Sequence, residues 1–106
     1  MTAPAFVVVL VIHLHFPQAG SLKGKRKELS SVKAQLQGRL GAAVAEVDHQ
    51  DLWQRATLAA ALTAGSMRQL EARADTVERW LEGRFPEGVR VERTVASLED
   101  LEAAGG

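Results

Sequence analysis

His13 and His15 stand two residues apart in an apolar run. In an extended strand this spacing sends both imidazoles to one face. Two imidazoles on one face could share a metal ion with a third ligand such as Asp48 or His49. Paired histidines at a strand end are more often ordinary surface or interface residues, so the spacing assigns no metal site.

The densest polar stretch is Asp48-His49-Gln50-Asp51-Leu52-Trp53-Gln54-Arg55. His49 with Asp48 and Asp51 has the makings of an acid–base set. A nucleophilic mechanism would need a serine or cysteine nearby, and none is there. The plainer reading is a hairpin connection. Its carboxylates cap turns, Arg55 enters a salt bridge and Trp53 packs on the sheet edge. An interaction loop presenting Asp48, Asp51, Trp53, Gln54 and Arg55 is the functional version of the same segment.

Ser21-Leu22-Lys23-Gly24-Lys25-Arg26-Lys27 places four cations in the first turns of a helix. The free N–H groups there already carry positive potential, so cations cost a few tenths of a kcal/mol each. Their placement is easier to understand if an anion binds. Phosphate at a helix start is the natural candidate, from RNA or a small ligand. The glycine-rich loop and Lys-Ser/Thr pair of a P-loop are missing. Lys23, Lys25, Arg26, Lys27 and Lys33 form the candidate anion or nucleic-acid surface, against the alternative of a plain solvated helix face.

The surrounding pattern gives the elements that position these groups. Phe6 to Phe16 alternates Phe6, Val8, Leu10, Ile12 and Leu14 with Val7, Val9, Val11, His13 and His15, as a central strand would. Pro17 and Gly20 break it. Ser21 caps a helix to about Leu40, with the stripe Leu29, Val32, Leu36 and Leu40. Gly24 is a soft spot in its first turn, and Gly38 and Gly41 are stop signals. Ala42 to Val47 reads as a second strand and Ala56 to Ala64 as a third, with a helix as the local alternative for 56–64. Ser66 and Gln69 have capping-box spacing before a second helix with the stripe Met67, Leu70, Ala74, Val77 and Leu81, ended by Gly83. Pro86 and Gly88 make a turn before a last strand from Val89 to about Leu98. Residues 99–106 read as a flexible acidic tail after a single domain over residues 1–98.

This order, β-α-β-β-α-β, implies an α+β ferredoxin-like two-layer sandwich. Right-handed crossovers put both helices on one face of a four-stranded antiparallel sheet. The other face would then show Val7, Val9 and Val11, a strip that invites a partner or a second copy of the chain. The third strand carries no aromatic residue, so base stacking of the kind used by RNA-recognition domains is not expected.

Bulk properties narrow the classes. The chain has 106 residues, 46% of them hydrophobic, and no cysteine. Disulfides, thiolate catalysis and cysteine-based zinc sites are therefore excluded. Net charge is zero, yet residues 1–41 hold six basic residues against Glu28, and residues 42–106 hold seven basic and twelve acidic ones. The halves thus differ as +5 and −5, the pattern of a molecule with one basic face. The longest apolar run, Phe6 to Ile12, is far short of the roughly 20 residues a bilayer needs. No Lys or Arg precedes it, unlike a signal peptide. A cytoplasmic protein without a membrane partner is expected.

Several strings resemble the YlxP-like family, small bacterial proteins grouped as a domain of unknown function. They are Leu14-His15-Phe16-Pro17, Ser21-Leu22-Lys23, Lys25-Arg26, Ala45-Glu46-Val47-Asp48 and Gln50-Asp51-Leu52-Trp53-Gln54-Arg55-Ala56. The similarity spans roughly residues 5–95. The resemblance implies a ferredoxin-like fold, and the family's usual gene neighbours, transcription and translation factors, imply a link to RNA or the ribosome. It carries over no catalytic or binding residue. The family usually has Glu where this chain has Gly24, which makes this helix start more basic. The expectation is a non-enzymatic accessory protein without a cofactor, contacting RNA or the ribosome through the basic helix start. The alternatives are a homodimerisation or interaction module on the open sheet face, and a small enzyme or ligand-binding regulator around Asp48 to Arg55.

Overall fold

The computed structural model describes residues 3–105. Strand β1 (Phe6–His15) leads to helix α1 (Leu22–Gly38), then β2 (Ala43–Asp48), β3 (Arg55–Ala64), helix α2 (Met67–Arg84), β4 (Val89–Ser97) and a short helix α3 (Leu98–Gly105). The strands lie in the order β2-β3-β1-β4 with every neighbouring pair antiparallel. This is the ferredoxin-like arrangement the alternation implied, and residues 56–64 form a strand rather than a helix.

One face of the sheet and two helical stripes make the core. Val8, Leu10, Ile12 and Leu14 of β1 and Leu58, Ala60 and Leu62 of β3 pack with Leu29, Val32 and Leu36 of α1 and Leu70, Ala74, Val77 and Leu81 of α2. The intervening β1 residues Val7, Val9, Val11 and His13 are only half-buried, so no second layer covers their face. The open face holds mostly small side chains in cross-strand rows, Ala43–Ala61–Val9–Thr94 and Ala45–Ala59–Val11–Glu92. No aromatic residue stands in those rows.

The helix ends show how the connections are fixed. α1 stops at Gly38, and Ala42 N–H donates back to the Leu36 carbonyl at 2.9 Å. Gly41 there has φ 71°, a left-handed conformation that favours glycine. Leu40 lies beyond the helix and packs on the core from the turn. α2 runs through the expected stop at Gly83 to Arg84, and the next residue, Phe85, turns inward to meet Phe16 edge-on with centroids 5.6 Å apart. That contact closes the helix layer over the end of β1.

The segment expected as a loose acidic tail is instead helical over Leu98–Gly105. Ser97 Oγ accepts from Asp100 N–H, and Asp100 Oδ2 accepts from Ser97 N–H, both at 3.0 Å. This reciprocal capping box satisfies two donors that would otherwise be orphaned. Leu98 N–H also donates to the Ala5 carbonyl at 2.8 Å, which ties the helix to the entry of β1. Among the described residues, no helix is long and apolar enough to cross a membrane.

Candidate functional site

The start of α1 is built as its sequence suggests. Ser21 Oγ caps it by accepting from Gly24 N–H at 3.1 Å, and no acid lies in the first turn. One of its cations departs from expectation. Lys25 is buried, with 1% of its surface exposed. Its ammonium donates to the carbonyls of His49 at 2.7 Å and Leu52 at 2.6 Å, and lies 3.7 Å from Glu46 Oε2. Lys25 therefore does not belong to a cationic surface. It joins α1 to the connection between β2 and β3.

The reason is helical phase. Lys25, Leu29, Val32 and Leu36 follow one another at spacings of four, three and four, so Lys25 heads the inward stripe. Glu46 completes the arrangement. It sits opposite Leu58 on the helix-facing side of the sheet, where its carboxylate can reach under α1. An inward lysine and an inward glutamate were both visible as breaks in apolar periodicity, and together they signal a pair.

The other cations of α1 remain at the surface. Lys23, Arg26 and Lys27 are exposed and Lys33 is half-buried. None of these four makes an ion pair or side-chain hydrogen bond among the described residues. The sole acid in the helix, Glu28, is taken by Arg84 at 3.4 Å. The outer face of α1 is thus positive without internal compensation. α2 differs, since Asp75 and Glu78 are matched by Arg93 from β4.

The connection after β2 begins with a bulge. Glu46 pairs with Leu58 and Asp48 with Thr57, which leaves Val47 as the extra residue. The bulge puts Asp48 in an open-face row with Thr57, His13 and Arg90. Asp48 Oδ1 accepts from His49 N–H at 2.8 Å. His49 has φ 62°, and its carbonyl accepts from both Leu52 N–H and Lys25 Nζ. The Gln54 carbonyl accepts from Phe16 N–H at 2.7 Å, so the loop is pinned at both ends.

This loop corrects two expectations. Trp53 does not pack away on the sheet edge, because it is 50% exposed beside Leu52 at 48%. Arg55 enters no salt bridge among the described residues. Asp51 and Gln54 are exposed in the same loop and line a shallow cleft with Leu52, Trp53 and Arg55. No serine or cysteine joins them there.

The histidines come together differently from a metal site. His13, His15 and His49 line one open depression of about 480 Å³ with Arg55, Thr57, Gly88 and Arg90. His13 Nδ1 lies 3.5 Å from Thr57 Oγ1, and His49 Nε2 lies 3.8 Å from Asp48 Oδ2. Among the described residues, no three His, Cys, Asp or Glu side chains come close enough to share a metal ion. His13 and His15 thus acquire no third ligand from Asp48 or His49. The depression combines imidazoles with guanidinium groups, which suits an anion better than a cation.

Comparison with known proteins agrees with this architecture and adds no activity. A family model described as "Protein of unknown function (DUF503)" matches residues 7–97. The chain is 33% identical over 81 residues to "Uncharacterized protein YlxP" of Bacillus subtilis (strain 168), which covers 76% of this chain and 84% of the relative. Among solved structures, "De novo designed protein Foldit4" superposes with a TM-score of 0.58 at 10% identity, covering 87% of this chain and 96% of the designed one. That likeness concerns the fold alone.

Proposed function

Since this chain belongs to the DUF503 family of proteins of unknown function, we propose a role from its own surface: a non-enzymatic cytoplasmic accessory protein that contacts RNA or a ribonucleoprotein. The observation that carries this reading is the outer face of α1, where Lys23, Arg26, Lys27 and Lys33 have no internal partner among the described residues. Uncompensated cations at a helix start raise the energy of the free protein slightly, and a polyanion removes that cost. The sheet offers no aromatic platform, so the recognition is of phosphates and duplex shape rather than of stacked bases. Lys25, spent internally, is outside the contact.

The test is binding to ribosomes and to structured RNA across a salt series. Affinity should fall with salt. Arg26→Glu/Lys27→Glu should weaken binding and flatten the slope of log K against log salt, by roughly 0.7–0.9 for each phosphate no longer neutralised. Salt-independent binding, or full affinity in the charge-reversed variant, would overturn the reading.

A second reading rests on the open sheet face. Val7, Val9 and Val11 lie half-buried among Ala43, Ala45, Ala59 and Ala61, a surface of small apolar side chains. Such a face suits another copy of itself. Sedimentation at micromolar concentration should then show a dimer that Val9→Glu dissociates, and a clean monomer would remove this reading.

A further inference from the structure

The depression at the end of the sheet gathers all three of the chain's histidines with two arginines. We infer that it is a binding site for a phosphate ester, carried on a mononucleotide or on a nucleic-acid chain. This site lies on the open side of the sheet, away from α1, and stands whether or not α1 contacts RNA.

Register makes the case. β1 places His15 directly opposite Arg55 and His13 directly opposite Arg90. Cation-bearing side chains facing each other across antiparallel strands repel when both are charged. Part of that charge is answered within the protein. Arg90 donates to Glu92 at 2.6 Å, and Asp48 faces His49. His15 and Arg55 are unanswered, with no ion pair or hydrogen bond from their side chains among the described residues. His13 is partly answered too, since its Nε2 lies 3.6 Å from Glu92 Oε2.

Donor geometry points to phosphate over carboxylate. The guanidinium groups come from β3 and β4 and the imidazoles from β1 and the β2–β3 loop, so they converge from several directions. A tetrahedral group with several peripheral oxygens can engage more of them than a planar carboxylate can. The volume of about 480 Å³ exceeds what a bare ion needs and falls in the range of small-molecule sites. His49 is fixed for this use, because its carbonyl is held by Lys25 while its ring lines the depression.

The experiment titrates the protein with inorganic phosphate, adenosine monophosphate, adenosine, and short RNA with and without a 5′-phosphate, followed by tryptophan fluorescence and amide NMR shifts. Phosphate and adenosine monophosphate should bind with shifts centred on residues 13–15, 55–57 and 88–90, and adenosine should not. Preference for 5′-phosphorylated RNA over the mononucleotide identifies a nucleic-acid end as the source, and the reverse identifies a free nucleotide. His15→Gln/Arg55→Gln, at two exposed positions, should weaken adenosine monophosphate about tenfold or more, while Lys23→Gln/Lys27→Gln leaves it unchanged. Equal binding of adenosine and its monophosphate, or full affinity in His15→Gln/Arg55→Gln, overturns the assignment.

Discussion

Lys25 Nζ donates to the His49 carbonyl at 2.7 Å, joining the start of α1 to a residue 24 positions later whose backbone is left-handed. The same ammonium holds the Leu52 carbonyl and neighbours Glu46. One buried charge thereby organises a whole loop. Without it the Leu52 carbonyl and the Glu46 carboxylate would lose their partner beneath α1.

Removing that charge should be costly. Lys25→Met keeps the stem and deletes the ammonium, and it should lower unfolding free energy by roughly 2–4 kcal/mol, since it strands the partly buried Glu46 carboxylate and the Leu52 carbonyl. Adding Glu46→Leu should recover part of the deficit, because the stranded charge goes as well. Urea denaturation of the single and double variants measures both. A Lys25→Met protein as stable as the parent would show that the ammonium does not hold the loop.

The loop should respond with it. In Lys25→Met the amides of residues 49–53 should exchange with solvent faster than those of β1, and tryptophan emission should change through Trp53, because the carbonyls that set the loop's shape no longer share a donor. Hydrogen exchange and fluorescence follow this, and unchanged exchange in 49–53 would speak against the anchoring role.

Gly41 is a turn where any added side chain would be strained by the backbone conformation. Its φ of 71° disfavours other residues, and a Cβ would stand 2.9 Å from Arg73 Nη2. Arg73 is tied to the Thr63 carbonyl at 2.6 Å. Its tip can shift, so Gly41→Ala should cost about 1–2 kcal/mol, mainly from the left-handed backbone. Thermal melts check it.

α3 should be sensitive to acid. The hydrogen bond from Ser97 N–H, joined by contact with the Ser97 side chain, holds the Asp100 carboxyl below its ordinary value. A carboxyl depressed in the folded state stabilises that state fully above its unfolded pKa and loses the contribution as pH falls through the folded value. Helicity of residues 98–105 should therefore decline below about pH 4, where free carboxyls begin to protonate. Asp100→Asn should blunt that dependence. NMR shifts of 98–105 across an acid titration give the readout, and an α3 with no change between about pH 6 and pH 3 would contradict it.

Much of this was legible in residue order. The β1 alternation, the two helical stripes and the Ser21 and Ser66 caps follow from periodicity and capping chemistry, and each element stands within a few residues of where the pattern puts it. Lys25 was misplaced because a run of cations invites reading by composition, whereas phase puts the third residue of that run inside. α3 was missed because Ser97 and Asp100 have capping-box spacing but no apolar stripe behind them, since none of its residues is buried. The depression was legible only in part: His13, His15 and His49 were set together from spacing, as possible metal ligands, but not with Arg55 and Arg90. His13, His49 and Arg90 meet only through strand register, which depends on the Val47 bulge and the crossover to β4.

That bulge has a consequence for how copies of the chain can meet. β2 is an outer strand, and a straight outer strand offers its free backbone groups as a template for another chain. The extra residue at Val47 bends this rim and breaks its even spacing. At the opposite rim β4 carries Arg90, Glu92 and Arg93. Both rims of the sheet thus oppose the addition of a further strand, which leaves the alanine and valine face for the dimer proposed above.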